Sequence, residues 1–138
     1  MDLMIEVNNL TASPVNKENL KRIAEKVLKG EKGGNKTISI ALVGKIKIKE
    51  LNRRYRKKDK ATDVLSFLYD QGGEIVLCFE VIKKNARKFG LSAKTELLRS
   101  LIHGMLHLLG YDHEKSEKEE KKMQNLQNHY FKTCQKLI

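Results

Sequence analysis

Long apolar runs are missing from this chain. No stretch approaches the ~18 apolar residues that would span a membrane, so a soluble globular protein is expected. The N-terminal Met1-Asp-Leu-Met-Ile-Glu-Val has no basic region followed by a long apolar segment. It does not read as a signal peptide, and the expected location is the cytoplasm. Cysteine is scarce. Cys78 and Cys134 lie in neither a Cys-x-x-Cys nor a zinc-knuckle spacing, so two buried thiols are expected rather than a bridge or a cysteine metal site. One proline, no internal repeat and no low-complexity stretch leave no linker that would divide the chain. Its 138 residues therefore read as one domain, 1–138, able to bury about two-thirds of its unfolded surface in a single core.

Basic residues are plentiful but unevenly placed. The net charge is +11, and residues 44–60, with nine basic and two acidic side chains, supply +7 of it. The Lys and Glu abundance elsewhere fits a solvated surface or the ion-pair habit of a thermophile. The concentrated block points to a polyanionic partner. Nucleic acid comes ahead of a membrane because no amphipathic, aromatic-bearing membrane helix accompanies the block.

Hydrophobic periodicity gives the element order. Residues 3–8 form a strand. A helix follows, with Pro14 suited to its first turn, Leu20, Ile23, Ala24, Val27 and Leu28 on its inner face, and Gly30 at its end. Ile38, Ile40 and Leu42 alternate as a second strand. Residues 46–57 form a helix with Ile48, Leu51 and Tyr55 inward and the basic block outward. Val64–Leu68 and Glu74–Phe79 are strands joined through the turn-forming Tyr69-Asp-Gln-Gly-Gly73. A helix over about 80–89 stops at Gly90. Ser92 caps the next, which runs to about Leu109 and is apolar nearly all round, so it belongs in the middle of the fold. Its polar stripe, at about 100° per residue, carries Glu96, Arg99, Ser100, His103 and His107. The last helix begins at Ser116, with Glu119 completing a capping box and Met123, Leu126, Tyr130, Cys134 and Leu137 on one face. The class is α+β, close to α/β: a small mixed sheet of about four strands packed by about five helices, with a central buried helix carrying the metal-binding histidines.

Those histidines belong to His103-Gly-Met-Leu-His107-Leu-Leu-Gly110-Tyr-Asp-His113. His103 and His107 are four apart and share a helix face, and Gly110 allows the chain to fold back and bring His113 in as a third ligand. A pair of histidines at this spacing would suit a polar helix face as well as a metal. The third changes that, because His-x3-His-x5-His is the spacing of the metzincin zinc site, including a glycine before the last ligand. Three imidazoles with one open position are the catalytic arrangement for zinc. The residue after the first histidine, where a metalloprotease carries its general base, is Gly104. Peptide hydrolysis is therefore disfavoured by the same motif that indicates the metal.

The chain resembles the YbeY-type endoribonucleases, metal-dependent ribosomal RNA maturation factors of bacteria. The resemblance rests on residues 103–113, on Leu51-Asn-Arg-Arg-Tyr-Arg56 leading into Thr62-Asp-Val-Leu-Ser-Phe67, and more weakly on Gly73-Glu-Ile75 and Met123. Ala61 and Glu74 depart from the family pattern, which usually has proline and aspartate there. The resemblance implies a single-strand-specific, metal-dependent endoribonuclease acting in 16S rRNA 3′-end maturation and ribosome quality control. Its partners would be ribosomal RNA and the small subunit, with assembly factors or ribosomal proteins alongside, and the chain would be a monomer. The ion would be one Zn2+ on His103, His107 and His113, although Ni2+ or another divalent ion also suits three imidazoles. It would acidify its bound water and polarise a phosphoryl oxygen.

Arg56, by composition only one more exposed basic side chain, becomes by resemblance a phosphate clamp whose planar fork suits two oxygens. Arg53, Arg54, Lys57, Lys58 and Lys60 would then hold the RNA backbone without reading sequence. Asp63 either orients a histidine or Arg56 or caps a turn. Ser66 reads as a strand filler ahead of a cleft residue. Asp112 either positions His113, moves a proton, or forms ordinary turn chemistry. Glu96 pairs with Arg99 or a lysine, or serves the site. Phe67, Tyr69 and Tyr111 could stack on bases, but aromatics are only 6% of the chain, so stacking is not the main source of RNA affinity. Two alternatives stay open: an RNA-binding assembly factor with a structural metal, and a non-nuclease metal hydrolase.

Overall fold

The computed structural model describes residues 4–33, 36–112 and 114–137. Alternating apolar side chains build its sheet. Ile5 and Val7 are buried from β1 (Met4–Asn9), and Ile38, Ile40 and Leu42 from β2 (Thr37–Leu42). The two strands run parallel, so a crossover is required, and α1 (Lys17–Gly30) supplies it. Its Leu20, Ile23, Ala24, Val27 and Leu28 join the same core. Asn16 caps this helix, its side chain accepting from the Asn19 backbone N–H at 3.1 Å, so Pro14 precedes the helix rather than occupying its first turn. The capping carboxamide fixes the start, which a proline two positions before it cannot do.

β3 (Val64–Tyr69) and β4 (Gly72–Leu77) form an antiparallel hairpin, and β4 runs parallel to β2, giving the order β1-β2-β4-β3. The connecting turn is only Asp70-Gln71. Gly72 and Gly73, expected in the turn, belong to β4. They are glycines because a Cβ on Gly72 would fall 1.9 Å from the Thr37 carbonyl oxygen, and one on Gly73 2.3 Å from Leu108 Cδ1. Phe79, expected at the end of that strand, starts α3 (Phe79–Phe89), which closes at Gly90 in the left-handed region (φ 68°).

α2 (Lys45–Arg56) covers the opposite face of the sheet, where Ile48 packs with Val43, Leu65, Val76 and Cys78. Tyr55, expected inward, is 54% exposed and meets Phe67 edge-on, with ring centroids 5.4 Å apart. β3 is an edge strand, and among the described residues no further strand lies beyond it to cover the last turn of α2. α4 (Ala93–Leu108), capped by Ser92, is the hub and touches α1, α3, α5, β3 and β4. Leu98, Leu101, Met105 and Leu106 are fully buried there, each stabilising the fold by about 1.5–3 kcal/mol relative to exposure. α5 (Glu117–Cys134), capped by Ser116, buries Met123, Tyr130 and Cys134 against this body. Cys78 and Cys134 are buried free thiols, as expected. Among the described residues, no helix is long and apolar enough to cross a membrane.

Candidate functional site

The polar stripe of α4 forms the floor of a cleft of about 820 Å3. Its walls come from edge strand β3, the loop after α2, the residues following α4, and Gln127 of α5. The stripe forms because α4 buries its apolar faces, leaving Glu96, Arg99, Ser100, His103 and His107 along the side that lines the cleft.

His103 and His107 present their Nε2 atoms to each other at 3.0 Å, with the rings 79° apart. Gln127 Oε1 lies 3.1 Å from His103 Nδ1. A proton on Nδ1 donated to this amide oxygen puts the Nε2 lone pair on the side facing His107, the tautomer that metal-ligating histidines use. Two imidazole nitrogens this close together are a donor pair of the type suited to zinc or nickel. His113, the expected third ligand, lies outside the described residues. Among the described residues, no group of three His, Cys, Asp or Glu side chains gathers to hold an ion.

Behind the histidines, α4 presses directly on the sheet at Gly104. A Cβ there would stand 2.9 Å from Val64 Cγ2 and 3.3 Å from Ile75 Cγ2. A carboxylate at this position would have no room. Ser66 Oγ donates to the Gly104 carbonyl at 2.8 Å, tying β3 to α4, and Ser66 also lines the cleft. It is therefore a helix-to-strand tie on the cleft wall and not a strand filler.

Arg56 reaches across the sheet edge into the cleft. Its guanidinium donates to the Ser66 carbonyl and lies 5.0 Å from the Phe67 ring centroid, so the planar group is held in one orientation. Phe67 thus supports Arg56. The basic block divides. Lys58 and Lys60 line the cleft, whereas Arg53, Arg54 and Lys57 are exposed and do not. Lys57 ends α2 in the left-handed conformation (φ 58°), and Asn52 Nδ2 donates to the Lys60 carbonyl at 2.9 Å, folding the basic loop back toward the cleft.

Asp63 is bonded on both carboxylate oxygens, and its Oδ1 accepts from Thr62 Oγ1 at 3.2 Å. Its Oδ2 accepts from Ser100 Oγ at 2.9 Å, which anchors α4 one turn before His103. Asp112 shows the turn chemistry, Oδ1 accepting from the Glu114 backbone N–H at 2.9 Å. Glu96 lines the cleft and is buried, and among the described residues its Oε2 finds no hydrogen-bond partner. Burial raises its pKa above the ordinary carboxylate value, Arg99 lowers it, and Asp63 raises it further. Tyr69 is exposed and outside the cleft lining, whereas Tyr111 lines it. Sequence reasoning missed Gln127, whose signal is a polar residue four after Met123 on the buried stripe of α5. It also missed Asn52, Glu114 and Lys115, which carry no comparable pattern.

Residues 6–135 match the family model described as Endoribonuclease YbeY. The chain is 44% identical over 126 residues to Endoribonuclease YbeY of Persephonella marina, covering 85% of this chain and 82% of that one. It is 38% identical over 131 residues to Endoribonuclease YbeY of Aquifex aeolicus, covering 90% and 87%. A solution structure of a Thermotoga maritima protein superposes with a TM-score of 0.71 at 39% identity, over 95% of this chain and 89% of that one. The fold and the motif-bearing segments lie inside these matches, and the chain belongs to the Endoribonuclease YbeY family.

Proposed function

We propose that this chain is an endoribonuclease that cuts single-stranded ribosomal RNA with one bound zinc ion. Its place would be 16S 3′-end maturation and ribosome quality control in the cytoplasm. The observation that carries the proposal is the pair of imidazoles with Nε2 atoms 3.0 Å apart on the floor of a cleft also lined by Arg56, Lys58 and Lys60. His103 and His107 would hold the ion together with His113. When bound, zinc supplies Lewis-acid charge at a phosphoryl oxygen and acidifies water beside it.

This chain's own residues do the rest. Arg56 has five N–H donors. With one of them fixed on the Ser66 carbonyl, the remaining edge meets the scissile phosphate and stabilises charge as it develops there. Lys58 and Lys60 hold neighbouring phosphates. Gln127 keeps His103 in the tautomer whose Nε2 carries the lone pair. Gly104 carries no proton-transfer group, which separates this site from a peptidase.

Purified protein incubated with single-stranded and structured ribosomal RNA fragments tests the proposal. The native chain should cut the single-stranded fragments. Chelator, His107→Ala and Arg56→Glu should each reduce cleavage by at least about 100-fold, equivalent to about 2.7 kcal/mol of barrier. Cleavage that survives all three would overturn the assignment. Binding without cleavage by the metal-loaded native chain would point instead to an assembly factor.

A further inference from the structure

Tyr111, two residues before His113 in the sequence, is braced from outside the cleft by Glu31. This glutamate is the C-cap residue of α1, its backbone N–H tied to the Val27 and Lys29 carbonyls. Its carboxylate accepts two phenolic protons. Tyr111 Oη donates to Oε1 at 2.6 Å, and Tyr130 Oη of α5 donates to Oε2. Gly30 is part of the arrangement, because a Cβ there would lie 2.2 Å from Tyr130 Oη.

Tyr111 is held on other sides as well. Its backbone N–H donates to the Leu106 carbonyl at 3.1 Å, and Lys122 Nζ lies 5.5 Å from its ring centroid. The chain has just left α4 through Gly110, at φ 102°. His113 follows Tyr111 by two residues, a span of at most about 7 Å.

We propose that Glu31 is a positioning residue for the metal site, clamping Tyr111 so that the segment leading to His113 leaves α4 in one direction. The inference rests on the metal reading above. Its logic is that of outer partners of metal ligands, which act by orienting groups they do not themselves replace. Tyr111→Phe removes the arm toward the histidine and Tyr130→Phe removes the arm toward α5, and the two changes delete the same atom from the same residue type. A clamp that serves only the fold would leave zinc affinity alike in the two variants. A clamp that places a ligand makes them different.

The test measures zinc affinity by competition with a chromogenic chelator, together with the melting temperature of the metal-free chain, for native protein, Tyr111→Phe, Tyr130→Phe and Glu31→Ala. Tyr111→Phe and Glu31→Ala should weaken zinc binding about tenfold or more, the usual effect of removing an outer partner. Tyr130→Phe should lower the melting temperature while keeping zinc affinity within about twofold. Equal effects of the two tyrosine substitutions on zinc affinity, or unchanged affinity in Tyr111→Phe, would overturn the proposal and leave the metal reading standing. A native chain that binds no zinc would overturn both.

Discussion

At Gly104 a side-chain methyl would come within 2.9 Å of Val64 Cγ2, in a packed contact between helix and sheet. Gly104→Ala should therefore destabilise the fold by about 1–3 kcal/mol despite its better helix propensity, a loss readable by urea denaturation. A variant as stable as the native chain would show that the sheet can yield there. Glu96 makes a prediction of opposite character. Its carboxyl is buried, with Oε2 unpartnered among the described residues, and its pKa is raised from the ordinary value of 4.5. A raised carboxylate contributes stability below its unfolded pKa and loses it as pH rises through the folded one. Glu96→Gln should thus be more stable than the native chain at neutral pH, with the difference shrinking toward pH 4 in parallel denaturation curves. A difference that grew on acidification would contradict the burial account. The histidine pair was legible because helical spacing alone places it on one face. Gln127 was not, because its importance comes from α5 packing beside α4, a contact between residues 24 apart in the chain.

Among the elements, α2 and its following loop carry the charge block but divide it by direction. Lys58 and Lys60 face the cleft because Asn52 holds the loop, whereas Arg53 and Arg54 lie outside the cleft lining. The salt dependence of RNA binding should reflect that division. Lys58→Ala and Lys60→Ala should each reduce the slope of log affinity against log salt by about 0.7, with smaller changes for Arg53→Ala and Arg54→Ala. Equal slopes for all four would mean that the block acts only as diffuse charge. The charge count was visible in the sequence, but its direction was not, since that depends on a left-handed residue at Lys57 and one buried carboxamide. Gly72-Gly73 was misplaced for a related reason. Turn chemistry and close backbone approach both call for glycine, and only the neighbouring Thr37 and Leu108 distinguish them.

Across the whole molecule, the sheet and helices followed from periodicity because burial on one face imposes it. The central position of α4 followed from its apolar surface on nearly every side. What periodicity could not supply was the strand order, which brings edge strand β3 beside the histidine helix and leaves Arg56 room to cross the sheet edge. That placement joins the basic block to the imidazoles in one cleft. The central claim is that these imidazoles gather a metal ion there. Elemental analysis of native protein and His107→Ala, both purified without added metal, tests it most directly. The account predicts about one zinc per native chain and a small fraction of that in the variant. Equal metal content in the two proteins would contradict it.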